Sequence, residues 1–200
     1  MNKTKIEWCD YTWNPIMGCL NNCPWCWARR MNDRFQFIPD FNMPVFFPGR
    51  LKEPKTIKKS SHIAVCLMGD IFSPGVCDDW INRVLFTIRQ NDHHQFLLLT
   101  KFPQRYYDFT IPSNCWLGTS ISSMEDMWRV DILTNMTCKF TKFVSIEPLL
   151  GPLHDADLTI MDHVFVGAQT GPGAMIPQKD WIQSIKHPNI LWKNNIKKYI

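Results

Sequence analysis

At 200 residues, 45% hydrophobic and 20% charged, the chain is long enough to bury one core and short for two full domains, so a single domain over 1–200 is expected. No window approaches the roughly 18 consecutive apolar residues of a membrane span, and Met1 to Glu7 is polar and charged without an apolar signal core, which predicts a cytoplasmic protein with no membrane partner. The net charge of +4 suits an anionic partner such as nucleic acid without requiring one.

Taken in chain order, a short strand is expected near Tyr11 to Ile16. The stretch from Asn32 to Ser61 breaks any rhythm: Pro39, Pro44, Pro48 and Pro54 fall among aromatic and basic residues. It reads as a long irregular insertion of the kind that forms lids or contacts ligands. Apolar runs then recur at Ala64 to Met68, Phe96 to Leu99, Cys115 to Leu117, Phe143 to Ile146, His163 to Val166 and Ile190 to Trp192. They are near-continuous rather than alternating, as for strands covered on both faces of a parallel sheet. Helical spacing lies between them: Trp80, Ile81, Val84, Leu85 and Ile88 within Asp78 to Gln90; Met124, Met127, Trp128 and Leu133 within Ser123 to Asn135; and Trp181, Ile182 and Ile185.

Strands alternating with helices predict an α/β fold of β-α units with right-handed crossovers, and the count permits a partial (β/α)6 barrel with a closing strand. Ligands in such folds bind at the carboxyl ends of strands. The residues that end the runs therefore matter: Gly69 and Asp70, Thr100 and Lys101, Thr119 and Ser120, Glu147, Gly167, and Lys193. Lys52, Lys55, Lys58 and Lys59 form one basic run, and Lys193, Lys197 and Lys198 another; both are read first as solvated surface.

Of the eight cysteines, Cys9, Cys66, Cys77, Cys115 and Cys138 are scattered in or beside apolar runs and read as small core residues. The other three stand in Gly18-Cys19-Leu20-Asn21-Asn22-Cys23-Pro24-Trp25-Cys26, a C-x3-C-x2-C spacing. Cys23 and Cys26 can share one turn while Cys19 reaches from the preceding loop. Three thiolates can hold three irons of a cubane cluster and leave the fourth without a protein ligand. A zinc site normally takes four ligands, so it would need a distant cysteine such as Cys9.

With Trp25 in its aromatic position, this segment resembles the signature of the radical S-adenosylmethionine superfamily, which lies between the first strand and first helix of a β/α barrel; Trp27 to Arg34 reads as that helix. Over nearly the whole chain the sequence is also similar to an uncharacterised three-Cys-motif family of phages and bacteria classed with that superfamily. The matching segments are Lys5-Ile6-Glu7-Trp8, Thr12-Trp13-Asn14-Pro15, Leu97 to Lys101, Trp116 to Ser120, Glu147 to Pro152 and Gly171 to Ala174. That family has a longer gap between its first two cysteines, so the shorter gap here lies nearer the superfamily pattern.

The resemblance implies a four-iron, four-sulfur (4Fe-4S) cluster on Cys19, Cys23 and Cys26, S-adenosylmethionine as its ligand, and an external electron donor. The fold implied is a partial (β/α)6 barrel of radical S-adenosylmethionine type, with 32–61 as a lid or substrate-contacting insertion after the first helix. Where the superfamily has Gly-Gly-Glu to hold the methionine amino group, this chain has Met68-Gly69-Asp70; Asp70 takes that role or is a cap or turn acid. Ser120 is expected at the ribose or methionine carboxylate, or as a helix cap. Gly167 is expected to let backbone approach the adenine. Glu147, Lys101 and Lys193 are candidates for contact with cofactor or substrate, or for a structural ion pair.

The basic insertion, with Phe41, Phe46 and Phe47 expected to be exposed, and a looser likeness to DNA-repairing spore photoproduct lyases point to a nucleic-acid or nucleoside-like substrate. The same phenylalanines also fit a lid packed on the barrel. Modification or activation of a protein or small metabolite is the alternative within the same chemistry, since minimal barrels of this size occur among activating enzymes and deazapurine synthases. A non-enzymatic zinc or iron-sulfur module is the alternative from another class.

Overall fold

The computed structural model describes residues 1–137 and 139–200; Cys138, expected in the core, lies outside them. The chain divides into two compact units, Met1–Trp116 and Leu117–Ile200. Both are mixed α/β.

In the first unit, β1 (Asn2–Lys3) runs antiparallel to β2 (Tyr11–Trp13). A second small sheet pairs β3 (Ile16–Met17) with β4 (Val45–Phe46), and between those strands in sequence lies α1 (Trp27–Phe35). Next come β5 (His62–Val65), α2 (Asp78–Arg89) and β6 (Gln95–Thr100). β2, β5 and β6 are parallel, with Trp13 opposite Val65 and Val65 opposite Leu98. The near-continuous apolar runs have the expected consequence: three of the four residues of β5 and four of the six of β6 are buried, as parallel strands covered on both sides require. The apolar stripe of α2 buries Ile81, Val84, Leu85 and Ile88. Trp13, Phe72, Phe96 and Tyr106 are the large core side chains; Tyr106 donates its hydroxyl to the Leu98 carbonyl at 2.7 Å, so its one polar atom is satisfied.

The division falls within β7 (Cys115–Ile121), and the second unit continues through α3 (Trp128–Asn135), β8 (Thr141–Ile146), β9 (His163–Val166), α4 (Lys179–Ser184), β10 (Ile190–Trp192) and α5 (Asn194–Lys197). β8, β9 and β10 are parallel, with Ile146 opposite Val166 and Val166 opposite Trp192. Gly118 of β7 leaves room for the Phe143 ring, since a Cβ there would lie 2.2 Å from a ring carbon. The helix expected over 123–135 is split into a 3-10 turn at Met124–Asp126 followed by α3.

The insertion from 32 to 61 holds β4 and two 3-10 turns, Pro48–Lys52 and Pro54–Thr56. Buried Asn32 ties its start, donating to the Ile38 carbonyl and accepting from the Ile38 N–H, each at 3.0 Å, while Gln36 in the left-handed region ends α1. Phe41 is not exposed as expected: it is 4% accessible and joins Met17, Ala28 and Ile38 in a small apolar cluster. Phe46 and Phe47 are half-buried. Phe46 stacks on Trp80 at 5.6 Å, and Phe47 lies under the Arg50 guanidinium at 4.2 Å. Among the described residues no helix is long and apolar enough to cross a membrane.

Candidate functional site

The three clustered cysteines all belong to the first unit. Gly18 opens their loop with φ of +96°, a conformation suited to glycine. Its N–H donates to the Met68 carbonyl at 3.0 Å, and Gly18 and Gly69 form a parallel bridge just beyond β5. The approach is close enough that a Cβ on Gly69 would lie 2.5 Å from the Gly18 carbonyl oxygen. The run Met68-Gly69 therefore has a definite use here, which is to let the cysteine loop dock on a strand end. Cys19 is fixed further by its N–H to the Phe41 carbonyl at 2.8 Å.

Cys23 and Cys26 share a turn, with the Cys26 N–H donating to the Cys23 carbonyl at 3.1 Å. Cys26 is the N-cap of α1, and its sulfur accepts the Arg29 N–H at 3.3 Å. The Cys19 sulfur accepts the Asn21 N–H at 3.4 Å and stands 3.6 Å from the Ser73 hydroxyl; the Cys23 sulfur accepts from the Asn21 side-chain amide at 3.2 Å. Cys19 and Cys26 both pack on the cluster of Met17, Ala28, Ile38 and Phe41. Burial pushes the Cys19 thiol up to about 11, and the nearby Asp70 charge adds to the rise.

Among the described residues no group of three or more His, Cys, Asp or Glu side chains is drawn together as a formed metal site. What fits an iron-sulfur cluster is the donor set: three sulfurs on one short loop, each receiving an N–H, in surroundings that are apolar on one side. Hydrogen bonds to the sulfurs and limited solvent access are the features by which a protein tunes such a cluster.

Around this loop, Lys101 places its ammonium 5.6 Å from the centre of the Trp25 ring, and the Trp25 carbonyl accepts from Arg30 at 3.0 Å. Asp70 is buried and tightly held. One carboxylate oxygen accepts from the Phe72 N–H at 3.0 Å and the Thr100 hydroxyl at 2.8 Å, and the other accepts from the Lys101 N–H at 2.9 Å. Burial raises its pKa, opposed by these hydrogen bonds. About three of a carboxylate's four acceptor sites are thus taken, and the turn-acid reading of Asp70 describes what it does: it joins the ends of β5 and β6.

The remaining predicted residues lie in the second unit. Glu147 pairs with Lys193 at 2.6 Å and accepts from Ser145 at 3.2 Å, which is one of the two ion pairs expected for it. Gly167 faces this carboxylate: a Cβ there would lie 2.5 Å from Glu147 Oε1. The open side of Gly167, expected to meet an adenine, is filled by Glu147. Ser120 is buried, and its carbonyl accepts from Arg129 at 2.9 Å.

Three supporting residues escaped the sequence reading. Asn21 lies between the cysteines and was in plain view as a donor. Arg29 serves through its backbone at Cys26 and through Nη2, which donates to the Cys19 carbonyl at 3.3 Å; a residue three past a helix-capping cysteine is a readable signal. Ser73 is 54 residues from Cys19 and carries no local signal. Of the scattered cysteines, Cys66 and Cys115 are buried as expected, Cys9 is half-buried, and Cys77 is exposed, correcting its assignment to the core.

No curated protein and no solved structure matches the chain. A family described as "Protein of unknown function (DUF5131)" matches residues 3–190, nearly the full length, and the chain belongs to that family.

Proposed function

We propose that this protein is a radical S-adenosylmethionine enzyme with the architecture of a partial (β/α)6 barrel. The observation that carries the reading is the cysteine loop: Cys19, Cys23 and Cys26 lie within eight residues, each sulfur accepts an N–H, and the loop docks on the end of β5. The parallel order of β2, β5 and β6 in one unit and of β8, β9 and β10 in the other supports the architecture.

A 4Fe-4S cluster, when bound, supplies one electron for cleavage of S-adenosylmethionine to methionine and a 5′-deoxyadenosyl radical, which takes a hydrogen atom from a substrate. The chain's own residues have simpler tasks. Cys19, Cys23 and Cys26 would hold the irons as thiolates, and the raised Cys19 thiol would oppose loss of its proton there. Asn21 and the Arg29 N–H, which already donate to the three sulfurs, would offset the negative charge gathered there. Gly18, Gly69 and the Arg29 side chain keep the loop in register with β5, and the apolar cluster beneath excludes water from one side. Asp70 retains one acceptor direction for a ligand ammonium while its other hydrogen bonds hold the strand ends. Electrons come from an external donor. The substrate is a nucleic acid or nucleoside-like molecule, with a protein or small metabolite as the competing class.

The test is anaerobic reconstitution with iron and sulfide, followed by electron paramagnetic resonance and a dithionite-driven assay for 5′-deoxyadenosine. The expected result is about four irons per chain and release of 5′-deoxyadenosine that is lost on replacing Cys19, Cys23 or Cys26 by Ala. Tight stoichiometric zinc, or a cluster that never cleaves S-adenosylmethionine, overturns the reading in favour of a non-enzymatic module.

A further inference from the structure

The neighbourhood of the cysteine loop carries more exposed apolar surface than its role in holding the loop requires. Trp27, Met31 and Phe35 recur every fourth residue along α1 and are 46%, 37% and 50% accessible; Phe37, just past the helix, is 47% accessible. A stripe at this spacing is ordinarily the buried face of a helix. Here the buried residues of α1 are Ala28 and Asn32, on another side, and the aromatic stripe faces outward.

The stripe borders a concavity. Trp27, Met31 and Phe37 line a cavity of about 330 Å³ whose other walls include Asn14, Arg50 and Met68. That volume lies within the range of small-ligand sites. Phe37 continues the surface to Phe35, the two ring centres 5.7 Å apart, and the Arg34 guanidinium lies over Phe35 at 5.0 Å.

Charge is concentrated along the same stretch. Residues 27–60 hold eight Lys or Arg against three Asp or Glu, a net +5, whereas the whole chain carries only +4. All of the protein's positive excess is therefore here. Arg34, Lys52, Lys55, Lys58 and Lys59 are exposed, and among the described residues none of the four lysines has an ion-pair partner within 4 Å. Of the acidic groups, Glu53 lies at the cavity wall, where it pairs with the Met1 amino group at 2.5 Å.

We propose that the outer face of α1, with the cavity beside it, binds a single-stranded nucleic acid: bases stack on Trp27, Phe37 and Phe35, and phosphates meet Arg34 and the lysines of 52–59. Half-exposed aromatic rings interleaved with cations are what unpaired bases on a charged backbone require, since every base has a face to stack and every nucleotide a charge to neutralise. A duplex hides those faces. A membrane surface would use the apolar stripe and the lysines but would leave the cavity beside them, with Asn14 and Arg50 in its wall, unfilled. The site deepens the proposed function by naming its substrate class. Binding itself is independent of that reading, and only the chemistry on the bound strand rests on it: Trp27 directly succeeds Cys26, so the strand would pass the cysteine loop.

The test is fluorescence anisotropy of a labelled oligothymidylate, and of an RNA of the same length, titrated with the full chain at low and moderate salt. Trp27→Ala and Phe37→Ala should each weaken binding roughly 5- to 100-fold, the usual worth of one base stack. Phe86→Ala, which removes an aromatic of α2 that is 62% exposed, should change nothing. Replacing Lys52 and Lys55 by Gln should reduce the salt slope by roughly 0.7 for each lysine at a phosphate. Absence of binding at low salt, tighter binding to the corresponding duplex, or binding to anionic vesicles alone overturns the proposal. So does salt-sensitive binding that Trp27→Ala and Phe37→Ala leave intact. Oligonucleotide binding and release of 5′-deoxyadenosine are read separately, so failure of the cluster chemistry and failure of this site give different results.

Discussion

Gly69→Ala is the sharpest probe of how the cysteine loop is held. The added methyl would lie 2.5 Å from the Gly18 carbonyl oxygen and 3.1 Å from its nitrogen. Both are backbone atoms, so no side chain can swing away to make room. Gly18 is itself confined, since its own Cβ position is surrounded at 3.0–3.1 Å by Phe41 O, Ile38 Cδ1 and Pro44 Cα. The two segments must therefore separate, stretching or breaking the hydrogen bond from Gly18 to Met68. Overpacking of this kind costs roughly 1–3 kcal/mol, and the hydrogen bond adds about 1 kcal/mol. The expected loss of about 2–4 kcal/mol lowers the unfolding midpoint of a chain this size by roughly 5–15 °C. Thermal unfolding by circular dichroism measures it, and iron content after reconstitution should fall with it, because Cys19 follows Gly18 directly. Gly49→Ala is the control: nothing lies within 4 Å of its Cβ position, and neither readout should move. A Gly69→Ala protein that melts with the wild type and takes up full iron refutes the docking argument.

In the second unit, Gly118→Ala should be similarly destabilising, because its methyl would lie 2.2–2.4 Å from ring atoms of Phe143; Phe143→Leu should partly restore the melting temperature of the Ala variant, and the absence of any restoration would show that the cost arises elsewhere. Iodoacetamide should label exposed Cys77 in the folded protein and spare Cys66, buried and with its thiol pushed up to about 12, and Cys115, also raised by burial; peptide mass spectrometry checks it, and equal labelling refutes it. Stability should fall in mild acid through His94. Its ring is buried, Nε2 donates to the Pro54 carbonyl at 3.2 Å, Nδ1 has no hydrogen-bond partner among the described residues, and burial lowers its pKa from 6.5. The unfolded chain therefore takes up the proton first, so the contribution is present above pH 6.5 and is lost as the pH falls from there towards the lower folded value; His94→Gln should flatten the dependence of melting temperature on pH over that interval, and an unchanged slope would exclude His94 as its source.

The sheet strands and the longer helices were legible because burial on both faces writes itself as continuous apolar runs and burial on one face as helical spacing. His163–Val166 and Ile190–Trp192 fall on the predicted runs without adjustment, and α2 differs by one residue at its end. Short elements were less legible. β1 is two residues with both side chains exposed, and α5 is a single turn, so neither carries a pattern. In the insertion, composition misled: Phe41 stands among polar and proline residues yet is buried, because Asn32 turns the chain back onto β3 and α1. The cysteine spacing was readable as a ligand set, whereas Ser73 and the Gly18–Gly69 contact depend on segments some 50 residues apart that only folding joins.

The strand-end residues divide by what already satisfies them. Glu147 has Lys193 and Ser145, and it occupies the space that Gly167 leaves. Asp70 has Phe72, Thr100 and Lys101. Glu147 would have to surrender existing interactions before meeting a ligand, an exchange that returns little net free energy, whereas Asp70 keeps one acceptor direction beside its three hydrogen bonds. The cysteines differ in kind, because N–H donors directed at sulfur are worth more once the sulfur is anionic. At Cys19 those donors act against burial and the Asp70 charge, which favour the neutral thiol. The aromatic rings of α1 differ again, Trp27 and Phe35 each remaining about half exposed. The proposed cluster and the proposed nucleic-acid surface are thus placed where the fold leaves donors and rings without a full internal use, at the cysteine loop and on the helix that begins at its last cysteine.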